Sequence, residues 1–233
     1  MSESIASAQL DEESKGILRR IVERTAYRQL MAANIRGHGL KYVTELDEKQ
    51  QLAHDIDASL SAAEPIEELY AKVGGTQLAF AVRDLMERIP YPYSRFELAV
   101  CLALVDRTER LVAESYVESR SPEMASIARS LLDLDRAATR RLEEHLAEFC
   151  SEPGNRPTAQ QFLNRWLAIA IVAFGRPGST GDQRAVALGL RSRGAGAMVQ
   201  RFLDELEPFV ASMGLKLPRL DSLGIQIAAR AGT

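Results

Sequence analysis

Residues 129–145 read RSLLDLDRAATRRLEEH, and the placement of their leucines and acids decides the fold. Leu131, Leu132, Leu134, Ala138 and Leu142 recur near helical spacing, with Asp133 and Asp135 set among them. A recurrence of that period marks a helix with one apolar side. An acid on such a side needs a metal, a proton-transfer role or an opposite charge, because burying it alone is costly. Outward from this stretch the helical period continues in both directions, and strand-like alternation bounded by turns is almost missing. The expected fold class is all-α.

The quoted helix opens at Ser121-Pro122-Glu123, an N-cap followed by proline in the first turn, and is expected to run to about Phe149. Upstream, a first helix is expected over 11–35, with Ile17, Ile21, Ala26, Leu30 and Met31 on one side. RGHGLKYVTE then interrupts it, since Gly37 and Gly39 weaken a helix. A second helix is expected over 47–73, kinked or broken at Pro65 and stopped at Gly74-Gly75. Further helices are expected over 76–89, ahead of PYPY, and over 94–119. Downstream of SEPGNRP come 159–174, capped by Thr158, one from about Gln183, and 197–213, closed by Gly214. Four of these are about 25 residues long, the pattern of a helical bundle. One domain spans 1–233, with residues 1–10 as a flexible N-terminus and 219–233 as a loosely packed tail.

The chain of 233 residues is long enough for one sizeable core, and it is 46% hydrophobic and 26% charged. A net charge of -3 leaves no broad basic face, so nucleic acid is not an expected partner. The polar, acidic start MSESIASAQLDEESK lacks the features of a signal or transit peptide. The longest apolar run, Trp166–Phe174, is too short to span a bilayer. Cys101 and Cys150 lie far apart in apolar stretches and read as buried free thiols. A cytoplasmic protein is the expectation.

Bundles hold metals between facing helices, typically through a Glu on two helices and Glu-x-x-His on two others. None of the three histidines fits. Ile35, Gln51 and Leu142 stand three residues before His38, His54 and His145, so each histidine reads as a surface or capping residue. Asp106 interrupts the apolar LAVCLALVDR and Asp135 interrupts SLLDLDRAA. Their neighbours Arg107 and Arg136 are adjacent in sequence, and adjacent residues on a helix do not face each other. Partners must come from across the bundle, with Arg28, Arg83, Arg88 and Arg129 as candidates. The loop FGRPGSTGDQR is glycine-rich and precedes a helix, where backbone amides can hold an anion. It lacks the Gly-Lys-Ser/Thr of a phosphate-binding loop, and Ser179, Thr180 or Asp182 reads first as a helix cap.

Four stretches together resemble one family. LDEKQQLAHDIDASLSAAEPIEELYAKVGG (46–75) resembles the second helix of ferritin-like proteins of the phenylacetyl-CoA epoxidase group, FELAVCLALVDRTERL (96–111) the third, and SIARSLLDLDRAATRRLEEHL (126–146) the fourth. FLDELEPFVASMGLKLP (202–218) is similar to the group's C-terminal helix and exit. The resemblance runs over about residues 15–218 and implies a ferritin-like four-helix bundle with additional helices. It also implies where the group's di-iron ligands would fall. The second-helix Glu-x-x-His becomes Ser59-Leu60-Ser61-Ala62, and the fourth-helix one becomes Asp135-Arg136-Ala137-Ala138. The first-helix glutamate falls near Arg28 or Gln29, and the third-helix one falls on Asp106. Asp106, Asp135, Ser59, Ala62, Ala138 and Gln29 are thus ligand-position remnants, with two acids left and both imidazoles lost.

On this reading there is no catalytic residue, no metal and no cofactor. The chain resembles the non-catalytic subunit type of the group, which acts by association, as a homodimer or with a homologous catalytic subunit, in phenylacetate catabolism. Two alternatives stand beside it. One is a di-metal oxygenase using iron or manganese on Asp106, Asp135 and Glu109 or Glu97. The other is a binding module for an acyl-CoA or another hydrophobic small molecule. Apolar residues nearly all round Phe96–Val117 and Phe162–Phe174 suggest helices covered on two sides.

Overall fold

In the computed structural model, residues 6–87 and 90–220 are described. Among them are ten α-helices and two single-turn 3-10 helices, with no strand. The helices are α1 (Glu12–Gly39), α2 (Leu46–Ser61), α3 (Glu64–Lys72), α4 (Leu78–Met86) and α5 (Arg95–Glu114). They continue as α6 (Pro122–Leu132), α7 (Ala137–Ser151), α8 (Arg156–Ala173), α9 (Thr180–Ala187) and α10 (Ala195–Ser212).

Most boundaries follow from local chemistry. Asp11, Ser94, Ser121 and Ser179 each accept a backbone N–H three residues on, capping α1, α5, α6 and α9. Gly74 and Gly214, with φ of 81° and 69°, turn the chain where glycine alone is unstrained. Pro65 breaks the expected second helix, because it enters the first turn of α3 and cannot donate to a preceding helix.

Three expectations are corrected. The helix α1 runs through Gly37 and His38 to Gly39. Gly39 is kept by packing: a Cβ there would lie 2.5 Å from a methyl of the fully buried Leu98 on α5. The gain from close approach of α1 to α5 outweighs the helix penalty of glycine. Gly39→Ala is therefore expected to cost about 1–3 kcal/mol by overpacking, read as a lower urea midpoint. An unchanged midpoint would show that Leu98 yields freely.

The quoted helix is the second correction, since it divides into α6 and α7 at residues 133–136. Asp133 and Asp135 are weak helix formers whose side chains compete for backbone donors. The third is α8, which opens at Arg156 with Pro157 in its first turn, so Thr158 lies inside the helix and does not cap it. The expected end at Ile89 lies outside the described residues. So do residues 1–5 of the expected flexible N-terminus and 221–233 of the expected tail. Within residues 6–10, Leu10 and Ser7 are buried, and the Ser7 hydroxyl donates to Glu123 at 2.5 Å.

α1 pairs with α2, α2 with α7, α7 with α5, and α5 with α1, so these four helices form a closed ring. α8 packs on the other side of α5. That explains α5, whose apolar residues from Leu98 to Val105 are all buried. α8 differs from expectation, because Val172 on its outer side is 70% exposed. Cys101 and Cys150 are buried and free, and burial raises the pKa of both thiols. No helix among the described residues is long and apolar enough to cross a membrane.

Candidate functional site

Inside the ring of α1, α2, α5 and α7 the inward stripes carry polar residues in helical phase. On α1 they are Thr25, Gln29 and Arg36, and on α2 Glu48, Asp55 and Ser59, all buried. α5 adds Asp106 and Glu109, and α7 adds Thr139 with Arg136 just before its first turn. Of these, Arg36, Asp55, Asp106, Glu109 and Arg136 assemble into a chain of ion pairs.

Arg36 is at its centre, with a side chain that has no solvent exposure. Its Nη2 donates to Asp106 Oδ1 at 2.5 Å, and its Nε lies 3.7 Å from Asp55 Oδ2. The Thr139 hydroxyl donates to the second oxygen of Asp106 at 2.5 Å. Arg136 donates to Glu109 at 2.8 Å and lies 3.8 Å from Asp106. The Gln29 amide donates to the other oxygen of Glu109. Burial disfavours the Arg36 charge, yet Asp106, Glu109 and Asp55 outweigh it, and its pKa is raised above the ordinary value. Asp55 goes the other way. Burial raises its pKa to about 6, against the pull of Arg36, and Asp106 adds repulsion.

Two further acids extend the pattern. Glu48 on α2 accepts from Arg95 at 2.7 Å and pairs with His145 Nε2 at 2.7 Å. Glu97 on α5 accepts from Arg165 at 2.9 Å and from the Trp166 indole at 3.0 Å. Neither contacts the Arg36 centre, so Glu97 and Asp106 are not ligands of one ion.

The remnant positions fall as follows. Gln29 and Asp106 meet the interior cluster. Ser59 is buried on α2 but donates to the Asp55 carbonyl at 2.8 Å within its own helix. Ala62 stands at the C-terminal end of α2 and Ala138 is buried on α7, and neither has a polar side chain. Asp135 is a correction. It lies in the break before α7, is 63% exposed and pairs with Arg140 at 2.7 Å. The break turns Arg136 inward and Asp135 outward.

Arg36 and Arg136, not the candidate arginines, partner Asp106. Arg28 instead donates to Thr25, Arg83 pairs with Asp84, and Arg129 donates to the Val117 carbonyl. Arg88 lies outside the described residues. The residues missed in the sequence were Arg36, Asp55, Arg136 and Thr139. The signal for Asp55 was its place in Glu48, Leu52, Asp55, Ser59, a stripe that repeats every three to four residues.

A di-iron or di-manganese centre asks for carboxylates with free lone pairs and imidazoles converging on one point. Here Asp106 and Glu109 are occupied by guanidinium groups. His145 is committed to Glu48, His38 stacks on Tyr91 at 4.5 Å, and His54 is exposed. Among the described residues no group of three or more His, Cys, Asp or Glu side chains is arranged to hold a metal. The donor set does not fit such a centre. What it does fit is structural: two arginines neutralise acids that apolar packing alone would not tolerate. Compared with models of known protein families and with curated protein sequences, the chain matches none.

Proposed function

We propose that the protein is a non-catalytic ferritin-like four-helix bundle with additional helices, similar to the partner subunits of the phenylacetyl-CoA epoxidase group. It acts by subunit association, with itself or with a homologous catalytic subunit, in phenylacetate-type catabolism. One observation carries this reading: Arg36 lies wholly buried between Asp55 and Asp106, inside the helices where a di-metal member holds its cations. A guanidinium supplies positive charge there without the Lewis acidity or redox chemistry of a metal.

The test is metal analysis of protein purified from iron- and manganese-replete cells, with mass measured by light scattering. The expected result is less than one-tenth of a metal ion per chain and an assembly larger than the 25.7 kDa chain. Stoichiometric iron or manganese would overturn the non-catalytic reading. A metal-free monomer that co-purifies with no second subunit would overturn association.

A further inference from the structure

Two cavities adjoin along α1, the first reaching the ion-pair interior at Glu109. The first, of about 560 Å³, is apolar and lies between α1, α4, α5 and α8, with Met31, Val105, Ile169 and Val172 in its wall. The second, of about 390 Å³, lies between α1, the 174–179 loop and α9. Arg24 and Arg28 line both.

The second cavity gathers five arginines: Arg20, Arg24, Arg28, Arg176 and Arg191. Three stand at i, i+4 and i+8 on α1, where like charges share one face and repel. Arg20, Arg24 and Arg176 have no ion-pair partner among the described residues. Arg28 is only 6% exposed. It bonds the hydroxyls of Thr25, at 2.9 Å, and Tyr116, and the Glu109 carboxylate attracts it from beyond ion-pair distance. Burial outweighs that attraction and lowers its pKa. Asp182 also lines the cleft but is already committed to Arg191 and to the amides of Gly178 and Ala195.

The same cleft receives the N-terminus of α9. Ser179 caps it by accepting from the Asp182 amide, while the first-turn amides of Thr180 and Gly181 have no helical carbonyl to bond. A Cβ at Gly181 would meet nothing within 4 Å, so the space in front of that turn is open. Guanidinium groups and a helix N-terminus line one cleft, and an apolar hollow begins at Arg24 and Arg28.

We propose that this double cleft binds a phosphate ester of an apolar alcohol. Arg24, Arg28 and Arg176 hold the phosphate at the N-terminus of α9, and the apolar portion lies in the cavity beside Ile169 and Val172. A phosphate is favoured over a carboxylate because it offers three oxygens and nearly two charges to several donors at once. This site does not rest on the association reading: its phosphate end, at Arg24, Arg28 and Arg176, lies apart from the Arg36 centre, and only Glu109, in the wall of the apolar cavity, belongs to both.

Calorimetric titration of the full chain tests it, with hexyl phosphate, hexanol, hexanoate and inorganic phosphate as probes. Hexyl phosphate is expected to bind at least tenfold more tightly than each of the others. Arg24→Ala and Arg176→Ala each weaken it about tenfold, equivalent to about 1.4 kcal/mol. Both side chains are exposed, so the ligand-free Tm of these variants stays unchanged or rises as like charge is removed. Val172→Asp weakens hexyl phosphate and leaves inorganic phosphate unaffected. Hexanol binding as tightly as hexyl phosphate would reduce the site to an apolar pocket. Hexanoate binding more tightly would overturn the choice of phosphate. Absence of heat with every probe, or affinity unaltered in both arginine variants, would overturn the site itself.

Discussion

Replacing Arg36 by Met is expected to destabilise the protein by about 3–5 kcal/mol, the usual cost of removing one partner from a buried ion pair. The loss exceeds the worth of the pair itself. With the guanidinium gone, Asp106 keeps Thr139 and the more distant Arg136, while Asp55 keeps no cation within ion-pair distance. Two carboxylates then face each other in an interior that solvates neither. Arg36→Met combined with Asp106→Leu is expected to recover part of the loss, because the second change removes one of the stranded charges. Urea unfolding at pH 7 reads both. A cost below about 1 kcal/mol for Arg36→Met would mean that the pair behaves as a solvated one and that the interior admits water.

The second large effect is a pH dependence centred on Asp55. Its folded pKa of about 6 lies above the ordinary value of about 3.9, so the folded state holds the proton more tightly than the unfolded chain. The stability that this group contributes is complete below about pH 4 and is lost as pH rises through 6. A difference of that size corresponds to about 3 kcal/mol. In Asp55→Asn the side chain stays neutral at every pH, so the variant lacks this loss. The difference in unfolding free energy between the variant and the native protein is therefore expected to move in the variant's favour, by up to about 3 kcal/mol, between pH 4 and 7. Carboxylates that do not interact with Asp55 contribute equally to both proteins and cancel. A difference that does not change with pH would place Asp55 in the ordinary range, fully neutralised by Arg36.

These two effects arise from residues whose sequence signals were of unequal strength. Asp106 was visible because it interrupts an apolar run, and its interior position follows from that alone. Arg36 gave no comparable sign. It sits in IRGHG, where two glycines suggest that the helix has ended, and a residue beyond a helix end has no inward face. The close contact of Gly39 with Leu98 keeps that turn helical, and so carries Arg36 into the core. Asp135 failed in the opposite direction. Its spacing fits the apolar side of a continuous helix, but the chain breaks at 133–136 and the helical register on which that assignment rested is lost.

The sequence by itself determined the all-α class, most caps and stops, a kink or break at Pro65 and the absence of any Glu-x-x-His pair. These are properties of neighbouring residues: a serine three positions before an amide, a proline without an N–H, a glycine free to take positive φ. Only the tertiary structure decided that the interior acids are answered by Arg36 and Arg136, and that five arginines line one cleft beside an apolar hollow. A charge pair across a bundle depends on which helix faces which and at what rotation. That choice is made by the packing of whole faces, where a single close approach such as Gly39 against Leu98 sets the rotation of everything beside it.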